Sequence, residues 1–321
     1  MREGLFIRKN IEKWKQYQYE AAANPDEMAN QFTELVNDLG YSKTFYPHSK
    51  VTQYLNGLSS RTYLGIYKNK REESSRIWRF WKTELPLTVR RNHRMILYAF
   101  ILFTCFAVLA AFSAAHDETF VRGVLGDDYV EMTEDNIAKG DPFGVYKGES
   151  ELNMFFMIVV NNIYVSYRVF VMGFLLGLGS VYQMFLNGVM VGAFQYYFFG
   201  KGLGWESILV IWIHGTLEIS SIILSGAAGL ILGNSFLFPG TRKRLHSLMA
   251  GGKDGLMIMI GITPILILAA ILEGFVTRYS GMPKLISVSI LLASFLFVVW
   301  YFVIYPIRLQ KKLGSKSLAT A

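Results

Sequence analysis

The sequence is short of charge and almost without cysteine. Charged residues make up 17% of its 321 residues, while hydrophobic residues make up 52% and aromatic residues 15%. Ordinary globular domains carry roughly 25% charged residues, so this chain lacks the polar surface that a soluble fold needs. Cys105 is the single cysteine and sits inside an apolar run, which excludes an internal disulfide. The beginning, MREGLFIRKN, is basic without an apolar core behind it, so membrane entry is expected to depend on the first true span. No Gly-x-x-x-x-Gly-Lys-Ser/Thr loop is present, so any nucleotide has to come from a partner. No serine or cysteine nucleophile stands beside a poised base.

What the chain does have is apolar length. A mean hydropathy of +0.30 calls for a bilayer rather than water. The net charge of +8 could suggest nucleic acid, but the basic residues flank apolar runs, as the positive-inside rule requires. The expected fold is all-α: a polytopic membrane helix bundle with a cytoplasmic N-terminal helical domain over 1–70. In that domain Leu5, Ile11, Trp14 and Tyr17 recur at helical spacing, and Asn24-Pro25-Asp26-Glu27 reads as a cap opening a second helix. Residues 71–94 read as an interfacial amphipathic helix. Trp78 and Trp81 share a face with Ile77 and Leu85, while Arg76, Arg79 and Lys82 lean to the other side.

The transmembrane domain is expected over 95–307, with a basic cytoplasmic tail over 308–321. The segment 116–150 is acidic, with Asp117, Glu118, Asp127, Asp128, Glu131, Glu134, Asp135, Asp141 and Glu149 against Arg122, Lys139 and Lys147, and reads as an outside loop. The apolar block 152–199 is either one span with an interfacial helix, for five spans in all, or two spans turning near Gly179-Ser180. The basic loop 235–255 and the basic tail favour the second choice, since six spans put both inside. The spans are then about 95–115, 152–179, 181–199, 205–233, 256–278 and 285–307. Gly173/Gly177, Gly188/Gly192 and Gly229/Gly233 form small-xxx-small pairs that let helix backbones approach closely in lipid. Packing within the chain is the default use of such pairs, with a homodimer left open.

Chemistry concentrates in the fourth span. His214 and Glu218 are one turn apart on one helical face, and Ser221 and Ser225 continue the stripe. Glu273 lies in the fifth span, and Asn161, Asn162 and Arg168 lie in the second. Ionisable groups at membrane depth are costly and usually face one another or a hydrated cavity. The three acid and imidazole groups are therefore expected to converge, with Arg168 as their cation. One imidazole and two carboxylates also suffice for a divalent ion, so His214, Glu218 and Glu273 are the metal ligands if a metal is bound, although the second histidine of the zinc-protease signature is missing. The other readings are a hydrated path and a structural polar knot.

Asn161-Asn162-Ile163, Asn187-Gly188, His214-Gly215-x-x-Glu218, Gly226-Ala227-Ala228-Gly229-Leu230 with Gly233, Pro239-Gly240 and Glu273-Gly274-Phe275 together resemble the stage II sporulation protein M family. Tyr46-Pro47 leading to Tyr54-Leu55-Asn56 extends the likeness towards the N-terminus. The resemblance implies a bacterial inner-membrane protein without catalysis of its own, acting as a membrane partner of peptidoglycan hydrolases. The expectation is a non-enzymatic scaffold of an envelope complex, needing no cofactor. Its expected partners are membrane lipids and other envelope proteins, a peptidoglycan hydrolase or an ATPase subunit among them, and not nucleic acid. The alternative is a permease-like or lipid-translocating subunit, since an interfacial helix before six spans also looks like the membrane half of some ABC exporters. An intramembrane metal-dependent hydrolase is the remaining reading.

Overall fold

The structure, a computed structural model, describes residues 2–20, 22, 24–68, 76–144, 151–277 and 282–319. Lys147, Glu149, the first residues of the expected interfacial helix (71–75) and the last residue of the expected fifth span (278) lie outside the described residues. Among the described residues all regular structure is helical. The chain divides into two units, Met1–Arg76 and Ile77–Ala321, a boundary six residues later than the 70/71 junction read from the sequence.

The first unit contains α1 (Glu3–Tyr19), α2 (Pro25–Phe45) and α3 (Lys50–Lys68). The Asn24 side chain accepts from Glu27 N–H at 2.7 Å and Pro25 opens the first turn, so α2 begins at the cap read from the sequence. Trp14 is fully buried, with Phe6, Leu35, Val51, Leu55 and Leu58 around it. Its indole N–H donates to Asp38 at 2.8 Å, and Lys13 pairs with the same carboxylate at 2.8 Å. Leu5, placed in the helical apolar repeat by the sequence, is exposed, and its neighbour Phe6 is buried. Partial burial and the adjacent Glu34 carboxylate push the Tyr17 phenol up to about 12.

The unit boundary falls in the first turn of α4 (Arg76–Arg79), which a π turn (Phe80–Glu84) and α5 (Leu85–Arg91) follow. The interfacial reading divides here. Ile77 and Trp78 are exposed, at 74% and 75%. Trp81 instead packs near Tyr301, and Leu85 and Val89 are buried in the main core. The π turn explains the difference: its wide register leaves carbonyls out of the α-helical ladder, and Tyr301 and Tyr305 donate to the Trp81 and Lys82 carbonyls at 2.7 and 2.8 Å. The segment is thus exposed at its start and a wedge in the bundle at its end.

α6 (His93–His116) is the first span. The acidic segment that follows is folded into α7 (Glu118–Leu125) and α8 (Asp127–Ala138). Asp117 caps α7 by accepting from Thr119 N–H at 2.9 Å, and these hydrogen bonds hold its carboxyl below the usual range. Arg122 gathers Asp127, Glu131 and Glu134. Lys201 reaches Glu134 at 2.6 Å, which holds that carboxyl low as well.

α9 (Glu151–Val171) runs into a short 3-10 turn (Met172–Phe174), and α10 (Leu178–Gly200) leads away. The reversal therefore falls at 172–177, not at Gly179-Ser180. Leu176 and Gly177 both take positive φ, 56° and 84°, and glycine makes the second of these free of strain. Ser180 lies within α10 and donates across the turn to the Val169 carbonyl at 2.6 Å. α11 (Gly204–Leu237) and α12 (Arg244–Ile271) follow, the latter ending in a second π turn (Leu272–Thr277). α13 (Lys284–Val299), a third π turn (Trp300–Ile304) and α14 (Tyr305–Ala319) complete the chain.

Among the described residues, five helical stretches are long and apolar enough to cross a membrane: His93–His116, Glu151–Phe174, Gly204–Leu237, Arg244–Thr277 and Lys284–Leu313. α10 is not among them, because Gln183, Asn187 and Gln195 dilute its apolar face. It nevertheless has 23 residues, about 35 Å of helix. It also lies parallel to α6: Met184 packs with Ala99 and Phe103, Gly188 meets Phe106, and Gly192 meets Ala107. Counting α10, the chain traverses the bundle six times. The bundle then has a basic end, where Arg91 binds Asp254 with two nitrogens and Arg90 meets Gln310, and an acidic end formed by α7 and α8.

Glycine contacts centre the bundle on α11. A Cβ at Gly229 would overlap the Ser180 side chain, one at Gly173 would overlap the Gly229 backbone, and one at Gly233 would overlap Gly177. A Cβ at Gly192 would overlap the Ala107 carbonyl, fixing α10 on α6. All three small-residue pairs are therefore spent on packing within the chain.

Two outcomes check this arrangement. In a Cys105→Ser background, single cysteines at the exposed positions Asp128 and Lys243 label from opposite faces of the membrane; labelling from one face removes the sixth crossing. Gly192→Ala is expected to lower the thermal midpoint of the solubilised protein, at a cost of about 1–3 kcal/mol for overpacking. Gly123→Ala, where no described atom lies within 4 Å, is expected to be neutral or slightly stabilising.

Candidate functional site

Polar residues on α11 and on the π turn after α12 meet inside the half of the bundle nearer the acidic end. His214 is 3% exposed and its Nδ1 lies 3.0 Å from Thr277 Oγ1. The Thr277 hydroxyl donates to the Leu272 carbonyl at 3.1 Å, five residues back, a spacing that the π turn itself provides. With its proton so committed, Thr277 accepts from His214 Nδ1–H. The opposite nitrogen, Nε2, then carries the lone pair and faces Glu273 Oε2 at 4.0 Å. That separation is too long for a hydrogen bond.

Glu218, one turn along α11 from His214, completes the group. One ligand atom from each of His214, Glu218 and Glu273 lies within 4.8 Å of the others. Glu273 is buried and Glu218 partly buried. The Glu218 carboxylate has no hydrogen bond or ion pair to any described residue, while Glu273 does have polar contact. The intervening Gly215 is buried, yet no described atom lies within 4 Å of where its Cβ would be. Unlike the packing glycines, it leaves open space beside the cluster.

The expected convergence of the three groups is therefore present, but its expected cation is elsewhere. Arg168 is exposed, and its neighbour Val169 lies level with Gly229 of α11. Gly229 is eleven residues from Glu218 on that helix, about 16 Å along the axis. The sequence put Arg168 in the right span without revealing its depth, which depends on where α9 begins. Asn162 is buried and Asn161 exposed; Asn161 Nδ2 lies 3.4 Å from Asn162 Oδ1. Asn162 Nδ2 and Ser166 Oγ are buried without a hydrogen-bond partner among the described residues. Ser221 and Ser225 are buried and bond back to the Leu217 and Ser221 carbonyls at 2.8 Å each. Thr277 is the residue that sequence reading missed. A threonine near a helix end carries no signal of its own, and the π turn that aims it at His214 has no sequence mark.

Asn162 gives a signed test of its role. A buried donor without a partner costs roughly 1–3 kcal/mol. Asn162→Leu is therefore expected to keep or raise the thermal midpoint of the solubilised protein, while a fall of several degrees would show that the amide is satisfied by water or by a bound group.

A family model described as Stage II sporulation protein M matches residues 99–278, from the first span through the cluster-bearing π turn. A second, described as Domain of unknown function (DUF8413), matches residues 4–68, the three helices of the first unit. No curated protein and no solved structure matches the chain. With more than half of its length covered, and with His214-Gly215-x-x-Glu218 and Glu273 inside the matched region, the chain belongs to the stage II sporulation protein M family.

Proposed function

We propose that this protein is a non-enzymatic scaffold of the bacterial inner membrane, an assembly subunit of a cell-envelope complex with its basic end in the cytoplasm. The observation that supports this best is the backbone contact on α11. Gly229 meets the Gly173 backbone and the small Ser180 side chain, and Gly233 meets the Gly177 backbone, so α11 is fixed closely against the α9–α10 turn. Alternating access requires one group of helices to rock against another, and contacts of this kind oppose such motion. They suit a frame that presents fixed surfaces at its two ends. At one end stands the acidic helical cap of α7 and α8, and at the other the basic residues Arg91, Arg242 and Lys253. Family membership and the resemblance described above favour a partner that remodels peptidoglycan.

A transport subunit is the second reading. It is favoured by the polar stripe from His214 through the partly buried Glu218 and Ser221 to Ser225, with Asn162 Nδ2 and Ser166 Oγ on the neighbouring α9 lacking a hydrogen-bond partner among the described residues. Such a stripe could carry water or a headgroup if partner subunits opened the bundle.

Cross-linked capture from native membranes, with an untagged strain as control, distinguishes the two. The expected result is a peptidoglycan hydrolase or another envelope protein in stoichiometric amount. A stoichiometric ATPase subunit instead, or substrate flux through the purified protein in liposomes, would overturn the scaffold reading.

A further inference from the structure

We propose that His214, Glu218 and Glu273 bind one divalent first-row transition ion, such as Zn²⁺ or Mn²⁺, which joins α11 to the π turn after α12. The inference stands apart from the partner role, since an ion here serves a scaffold and a transport subunit equally.

Three observations point to a ligand. The first is the donor–acceptor order. Thr277 takes the Nδ1 proton of His214, which fixes the tautomer and leaves Nε2 as a free ligand nitrogen. This is the outer-shell arrangement that metal-binding histidines use, with the second ring nitrogen held by a hydrogen-bond acceptor. The second is the gap of 4.0 Å between Nε2 and Glu273 Oε2, too wide for a hydrogen bond and wide enough for an ion between them. The third is Glu218, whose carboxylate is partnered by no described residue yet points into the same cluster.

The chemistry is consistent with this donor set. Imidazole and carboxylate together suit zinc, manganese and iron, and a divalent charge offsets two carboxylates at a depth where each is costly alone. Ligand atoms about 2.1 Å from a tetrahedral ion stand about 3.4 Å apart. The present spread of up to 4.8 Å closes by rotation of the two glutamate side chains. The open space beside Gly215 leaves room for a water as the fourth ligand.

The test uses full-length, tag-free protein purified in detergent, with elemental analysis before and after stripping with a chelator, then titration with Zn²⁺ and with Mn²⁺. One ion per chain is expected, with a rise in thermal midpoint on re-addition. His214→Gln and Glu218→Gln are each expected to reduce occupancy at least tenfold, while Ser225→Ala, on the same helix outside the cluster, keeps it. Wild-type protein that is metal-free as purified, and whose midpoint does not move in millimolar Zn²⁺ or Mn²⁺, would overturn the proposal. So would wild-type stoichiometry retained in both His214→Gln and Glu218→Gln. Should the variants fail to accumulate, the wild-type titration decides alone.

Discussion

The architecture depends on one close approach, the backbone of α11 at Gly229 and Gly233 against the backbone at Gly173 and Gly177. In lipid, burying an apolar side chain against another helix gives little, because the tails are as apolar as the side chain; close backbone packing is what holds helices together. The consequences run along the helix. α11 is buried over much of its length, from Gly204 to Gly233, and α6, α9, α10 and α12 all lie against it. Placing α11 at the centre puts His214, Ser221 and Ser225 out of reach of lipid. The polar stripe is affordable only because of the glycines further along the same helix.

Polarity within the bundle is organised differently at different depths. Near the basic end, charges meet opposite charges or amides at the surface, as Arg91 meets Asp254, and each such exposed pair contributes little. Nearer the acidic end, neutral donors are matched to acceptors in sequence. Gln195 donates to Ser207 and accepts from Trp212, and His214 donates to Thr277, which donates to Leu272. A network of this kind restricts protonation states and rotamers together, because each hydroxyl has one proton to give. Glu218 interrupts the pattern, since no described residue donates to it.

How much was legible follows from which physical signal each feature leaves. The apolar spans, the α2 cap and the acidic character of 116–150 were readable because apolar length, capping chemistry and charge sign are local properties, whereas the folding of that loop into α7 and α8 was not. The convergence of His214, Glu218 and Glu273 was readable from energetics, since carboxylates in a membrane must find company. The position of the α9–α10 reversal was not, because several glycines compete there and only tertiary contact selects Gly177 over Gly179. Leu85 and Val89 entering the core were hidden for a related reason. Their helix reads as amphipathic, and the π turn at Phe80–Glu84 rotates its second half relative to its first. Arg168 was misplaced because a span drawn from hydropathy has no sharp start, and each residue of error moves a side chain by about 1.5 Å.

The π turn at Leu272–Thr277 has a consequence for how this chain tolerates changes of helical form. A π turn holds one more residue than the α-helical turn it replaces, so drawing this stretch into a regular α form at unchanged length would wind the chain one residue too far. Everything beyond it would then rotate by about 100°. Glu273 and Thr277 could no longer both address His214, although no side chain in the cluster had been altered. The wide turn is therefore as consequential for the cluster as the polar residues themselves, and the spacing between Glu273 and Thr277 is itself part of the site.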